Sequence, residues 1–258
     1  MTHDRIMLDG PRLVEAGRRA GLAFDTVAVA ASRLARDPAL ATLSTALDDD
    51  GARLISVTDP VMDALSPVDT PSGIVALVER PAVSLDAALA CPPQLVLGLS
   101  NLQNPGNVGA VIRAAEAGGA TGIVASGMTA DPYGWKALRG AMGSTFRMPV
   151  VMQVDPLALI AQARSRGLAV VAATARDGTP LNQCDLTAPT LVILGGEGAG
   201  LTGELVTAAD RALSIPMQGG VESLNVATAA ALIVYEAFRQ RHAGTHSSRA
   251  EQGGHETW

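Results

Sequence analysis

Four runs of this chain are apolar on consecutive residues rather than alternate ones: QLVLGLS (94–100), TGIVAS (121–126), LAVVAATA (168–175) and TLVILGGE (190–197). A strand with one wet face alternates apolar and polar side chains. A strand without alternation is covered on both sides, as in a parallel sheet with helices packed on each face. Segments with helical spacing lie between or after these runs, over 107–119, 134–145, 156–167 and 223–242. FRMPV (146–150) and ALSIPM (212–217) read as further strands of the same set. The expectation is an α/β fold with a mostly parallel sheet.

Residues 1–80 are built from shorter units and read as a small α/β domain. GPRLVEAGRRAG (10–21) has a helical apolar face, and TVAVAAS (26–32), ARLISVTD (52–59) and GIVALVE (73–79) read as strands. DPVMDALS (59–66) reads as a helix with Asp59 as its cap and Pro60 at its first position. Prolines at both ends mark residues 81–92 as a linker, residues 93–243 hold the parallel sheet, and the polar, aperiodic tail 244–258 is expected to be disordered.

Composition removes several function classes. A net charge of −6 argues against a generic nucleic-acid binder, though not against a local basic patch. The two cysteines, Cys91 and Cys184, are far apart and stand in no metal-ligand spacing, so both read as buried thiols. No basic-then-apolar leader and no apolar span of about 18 residues is present, which fits a soluble, cytoplasmic protein. The histidines, His3, His242, His246 and His255, all lie toward the termini, so the commonest general base is missing from the body of the chain. No cluster suggests a metal. Chemistry here must use Arg, Glu, Ser, Asn and backbone groups, with a cofactor supplying reactivity.

Three loops follow apolar strands, which is where parallel α/β sheets bind ligands. In the first, NPGNVGAVIRAAEAGGA (104–120), Asn107 is a candidate helix cap, and Gly109 leaves room for a group to approach Arg113 on the same helix face. The second, LGGEGAGL (194–201), is rich in glycine with Glu197 as its one strong hydrogen-bonding side chain. The third, SIPMQGGVESLNVATAAA (214–231), places Ser223, a candidate cap, and Asn225 before a long helix that is apolar nearly all round. GAGLTG (198–203) matches G-x-G-x-x-G, with Glu222 downstream as the ribose-binding acid. Too few residues separate Gly203 from the next strand for the usual crossover helix, and no G-x-x-x-x-G-K-[ST] occurs, so neither nucleotide fingerprint is adopted.

Together and in this order, the three loops resemble the motifs of the SpoU (TrmH-type) RNA 2′-O-ribose methyltransferases of the SPOUT class. The resemblance spans roughly residues 93–242, and residues 1–80 are similar to the family's ribosomal-protein-like RNA substrate-binding domain through MLDGPRLVEAG (7–17) and DALSPVDTPSGIVALVE (63–79). It implies a C-terminal trefoil-knotted domain, although threaded chains are rare. It also implies a site for S-adenosyl-L-methionine lined by Thr174, Leu194, Gly195, Gly196, Ile215, Met217 and Leu224, with no metal. The glycines would admit the backbone, and the aliphatic groups would wall the adenine. The implied partners are rRNA, favoured, or tRNA, and a second copy of the chain, since the apolar last helix suits a homodimer. The basic arm that often precedes the family's first domain is not seen ahead of the match.

In the mechanism that the resemblance implies, Arg113 assists the 2′-hydroxyl of a ribose. A guanidinium holds its proton too tightly to be a good base. Stabilisation of the developing alkoxide and positioning of the adjacent phosphate are therefore preferred. Asn107 would fix the first loop, Glu197 the second, and Ser223 and Asn225 the cofactor and hydroxyl. The alternatives are a base methyltransferase on the same fold, and a non-catalytic RNA-binding ribosome-assembly or resistance factor.

Overall fold

A computed structural model describes residues 5–90 and 94–250 of the chain. The chain forms two compact units. The first takes the residues up to Val83 together with Asn104–Arg113 and Ala130–Pro149; the second takes Ser84–Gln103, Ala114–Thr129 and the chain from Val150 onward.

The elements up to Val83 are β1 (Arg5–Asp9), α1 (Pro11–Arg19), β2 (Phe24–Ala30), α2 (Ala31–Leu34), α3 (Pro38–Asp49), β3 (Arg53–Val57), α4 (Asp59–Leu65) and β4 (Ile74–Glu79). The sheet order is β1-β4-β2-β3, with β4 antiparallel to both neighbours and β2 parallel to β3. Its strands bury Leu8, Val27, Ile74 and Val78 almost completely, at about 1.5–3 kcal/mol for each such side chain. Helix α3 went unread in the sequence although its start carries plain signals. Pro38 stands at the first position, and the Asp37 carboxylate accepts from the N–H groups of Ala39 and Leu40 at 3.0 and 3.2 Å. Asp59 is not the cap of α4 but its first residue, and its carboxylate accepts from the Ser32 hydroxyl.

The remaining elements are α5 (Leu85–Ala90), β5 (Leu95–Ser100), α6 (Pro105–Ala117), β6 (Gly122–Ser126), α7 (Trp135–Ala141), β7 (Val150–Val154), α8 (Pro156–Ser165), β8 (Ala169–Thr174), β9 (Thr179–Pro180), β10 (Thr190–Gly195), α9 (Gly203–Ala208), β11 (Arg211–Ser214) and α10 (Val226–Ala250). The strands of the second unit form one sheet in the order β7-β6-β5-β10-β8-β11-β9, with every neighbouring pair parallel. All six residues of β5 and all five of β6 are buried, as their unbroken apolar runs require.

Some boundaries differ from the sequence reading. Six residues of the expected linker form α5, with the N–H of Ala87 donating to the Ser84 hydroxyl at 3.1 Å. Helix α10 continues to Ala250, through the first part of the segment expected to lack structure, and residues 251–258 lie outside the described chain. Strand β7 starts after Pro149 rather than at Phe146, which belongs to a short 3-10 turn, Ser144–Phe146. Proline has no N–H to give a ladder, so it precedes the strand.

Candidate active site

Strands β8, β10 and β11 are neighbours, and their C-terminal ends open into the glycine-rich loop 196–202 and the irregular stretch 215–225. Between these segments lies a cavity of about 420 Å³. It is walled by Thr174, Leu194, Gly195, Gly196, Glu197, Ile215, Met217, Ser223, Leu224 and Asn225, all of them residues picked out by sequence. Leu201, Leu213, Ala229 and Ile233 also wall it and were missed. Val226, Ala229 and Ile233 recur at i, i+3 and i+7 on α10, and that spacing was the available signal. Asn107 and Arg113 stand on α6, in the first unit, and are not among these walls.

Gly195 and Gly196 are required by the protein's own backbone. A Cβ on Gly195 would lie 2.3 Å from the carbonyl carbon of Gly200, and one on Gly196 would lie 2.1 Å from the carbonyl oxygen of Asn101. The loop closes on itself through the N–H of Gly200 donating to the Gly196 carbonyl at 3.1 Å, with Gly198 and Gly200 at φ +87° and +65°. At Gly195, Gly196, Gly198 and Gly200 the loop therefore presents main chain to the cavity. From Ile215 to Leu224 the chain joins neither ladder nor helix, so its N–H and C=O groups are available to a ligand's polar edge.

The polar walls are partly committed. The Thr174 hydroxyl donates to the Leu213 carbonyl at 3.1 Å and ties β8 to β11. Asn225, not Ser223, caps α10: its side-chain oxygen accepts from the N–H groups of Ala227 and Thr228 at 2.9 and 3.4 Å.

On α6 the cap is Asn104, not Asn107. The Asn104 side-chain oxygen accepts from Gly106 N–H at 2.8 Å, Pro105 follows it, and Asn107 lies in the first turn. Gly109 does not make room beside Arg113. It is buried, and a Cβ there would sit 2.2 Å from the Ala137 carbonyl oxygen, so the glycine lets α7 pack directly on α6. Arg113 is exposed and makes no ion pair among the described residues. The start of α7 is fixed by Arg80, whose guanidinium pairs with Asp131 at 2.7 Å and lies 4.6 Å from the centre of the Tyr133 ring. Burial pushes the Tyr133 hydroxyl up to about 12.

Cys184 is buried, and desolvation pushes its thiol up while Arg211 acts the other way; Cys91 lies outside the described residues. Among the described residues, no helix is long and apolar enough to cross a membrane.

Residues 94–235 match the model of the SpoU rRNA Methylase family. The chain belongs to that family. It is 37% identical over 191 residues to the 23S rRNA (uridine(2479)-2′-O)-methyltransferase of Streptomyces viridochromogenes, covering 72% of this chain and 67% of that one. It is 33% identical to the 23S rRNA (guanosine(2553)-2′-O)-methyltransferase RlmP of Bacillus subtilis, covering 72% and 73%. Among solved structures, it is similar to the SpoU methyltransferase AviRb from Streptomyces viridochromogenes in complex with AdoMet, with a TM-score of 0.83, 31% identity and coverage of 92% and 91%.

Proposed function

We propose that the protein methylates the 2′-hydroxyl of one ribose in 23S rRNA, using S-adenosylmethionine held in the cavity at the ends of β8, β10 and β11. The observation that carries this is the cavity itself. Ten residues from the second and third loops and β8, picked out from sequence, meet around one space, and the fit to the cofactor is chemical. Main chain at Gly195, Gly196 and 215–224 suits the polar edge of an adenine, Ile215, Met217 and Leu224 suit its faces, and Glu197, Ser223 and Asn225 suit a polar amino-acid tail. The same reading includes a C-terminal domain threaded as a trefoil knot.

When bound, the cofactor supplies an electrophilic methyl group on a sulfonium. The chain's own task is to make a ribose hydroxyl nucleophilic. Arg113 keeps its guanidinium donors exposed, so it can hold the adjacent phosphate and the charge that builds on the oxygen as its proton passes to water. Asn107, in the first turn of the same helix, orders the loop that receives the ribose. The working unit is a homodimer formed through α10, and the enzyme acts in the cytoplasm, where ribosomes are assembled. The non-catalytic reading is disfavoured, since Asn107, Arg113, Glu197, Ser223 and Asn225 are all in place.

The experiment is transfer of tritiated methyl to purified ribosomal RNA, followed by alkaline hydrolysis, in which one linkage becomes resistant. Arg113→Ala lowers transfer by about 10²–10³-fold while calorimetric titration still reports S-adenosylmethionine binding. Undiminished turnover in that variant removes Arg113 from the chemistry, and absence of cofactor binding by the unaltered protein removes the whole reading.

A further inference from the structure

A second cavity, of about 310 Å³, lies within the first unit between the β1–α1 junction, the residues before β4, and α7. Its polar contributors are Asp9, Arg12, Thr70, Ser72 and Arg139, and Met142 is among its apolar ones. One oxygen of Asp9 accepts from the Ser66 hydroxyl at 3.1 Å. The other is shielded from solvent and has no donor within reach among the described residues. A buried acceptor left without a donor costs free energy, and such atoms call for a partner. Arg12 and Arg139 are both exposed and make no ion pair among the described residues. Met142 is 44% exposed at the C-terminal end of α7 with φ 53°, a left-handed conformation that usually selects glycine. A flexible thioether held in that conformation at a cavity wall is strain of the kind found at ligand sites.

We propose that this cavity takes up one nucleotide of the RNA substrate, a guanosine, with Asp9 accepting from its base edge and Arg12 and Arg139 holding its phosphate. The chemistry selects the base. Guanine offers two adjacent donors, N1–H and N2–H, to a carboxylate. Uracil offers one donor flanked by two acceptor oxygens, which a carboxylate repels. Adenine and cytosine each offer a single amino group beside an acceptor nitrogen. Burial holds the Asp9 carboxyl above its ordinary value, with Ser66 and Arg139 acting the other way, and the two donors of a guanine edge add to their side and favour the carboxylate once the base is bound. The arginines answer the one group that every nucleotide carries. The proposal rests on the RNA methyltransferase reading but uses residues outside the cofactor cavity, so the two fail separately.

The test is NMR of the full-length protein labelled at methionine methyls, with Met142 as reporter, titrated with guanosine 5′-monophosphate, uridine 5′-monophosphate, guanosine and inorganic phosphate. The expected result is a saturable Met142 shift with the guanine compounds, at least fivefold weaker with uridine monophosphate and absent with phosphate alone. Asp9→Asn abolishes the guanine preference. Arg139→Gln weakens guanosine monophosphate by about tenfold and leaves guanosine unchanged, and this exposed substitution keeps the test open if Asp9→Asn does not fold. Equal shifts with uridine monophosphate, the same shift with phosphate alone, or no shift with any nucleotide overturns the proposal. S-adenosylmethionine titration of the same samples reports on the methyltransferase reading independently.

Discussion

Asn225 joins stability to ligand binding in one side chain. Its oxygen caps α10 through two backbone N–H groups, while the residue also walls the main cavity. Removing the cap costs about 1 kcal/mol, so Asn225→Ala is expected to lower both stability and S-adenosylmethionine affinity. Asn225→Ser separates the roles, because serine caps as well but carries no amide. Its unfolding midpoint in urea stays near that of the unaltered protein while calorimetry reports weaker binding. Retained affinity in the serine variant would assign Asn225 to the helix alone. The identity of this residue was legible from its motif, but its duty as the cap was not, because Ser223 is an equally good cap by type. Only the path of residues 215–225 decides between them. Glu236 provides a second test at this scale. Arg239 and Gln240 donate to its carboxylate and hold it at about 2, against an ordinary 4.5. A carboxyl with a depressed folded value contributes stability above its unfolded value and loses it as pH falls toward the folded one. Asp9, raised by burial, acts with the opposite sign, losing stability as pH rises through its folded value. Glu236→Gln is therefore expected to narrow the fall in melting temperature between pH 7 and about pH 3, as read by circular dichroism, and an unchanged fall would show that the carboxylate contributes nothing.

The contact between α6 and α7 offers a prediction whose sign separates two effects. Helix propensity favours alanine over glycine by about 1 kcal/mol, so Gly109→Ala on propensity alone would stabilise the protein. The structure puts a Cβ there 2.2 Å from the Ala137 carbonyl oxygen and 2.9 Å from the Ala141 nitrogen, both backbone atoms that no rotamer change can move. Overpacking at about 1–3 kcal/mol then wins, and Gly109→Ala unfolds at lower urea. Gly106→Ala, whose Cβ meets only the Asn104 side chain at 3.1 Å, is the control and stays within about 1 kcal/mol of the unaltered protein. If both variants gain stability, the helices are not in contact at Gly109. Elements of this kind were unevenly legible. The strands of the parallel sheet could be read because burial on both faces writes itself into consecutive residues, as β5 and β10 do. Helix α5 was hidden behind Pro81 and Pro92, which read as linker punctuation, even though Ser84 and Asp86 mark its start. The purpose of Gly109 could not be read at all, since a missing side chain looks the same whether it admits a ligand or another helix.

At the scale of the whole molecule, the unresolved matter in the sequence was what covers α10, which is apolar nearly all round. One face is taken by the sheet of its own unit, where Ala230, Ile233, Val234 and Ala237 are fully buried. Another is left in solvent with Leu232, Tyr235 and Phe238 at 43, 51 and 44% exposure, spaced three apart along the helix. Beside Leu232 and Tyr235 lies an open hollow of about 520 Å³, shared with Leu181, Ile215 and Pro216. Three large apolar side chains on one turn-and-a-half of helix, next to a hollow, form a patch that monomers rarely leave uncovered. A second copy laid against α10 would cover it, and a stable interface of this type buries about 800 Å² per partner. Ile215 also walls the proposed cofactor cavity, so pairing at α10 bears on the stretch 215–225 that shapes it. The double variant Leu232→Glu, Tyr235→Glu places charge on the exposed face without touching the buried one. It is expected to sediment as a monomer at micromolar concentration, where the unaltered protein sediments as a dimer, and to lose at least tenfold in S-adenosylmethionine affinity, or about 1.4 kcal/mol, because that stretch loses its support. A dimeric double variant would place the interface elsewhere, and a monomer that binds the cofactor undiminished would detach pairing from the site.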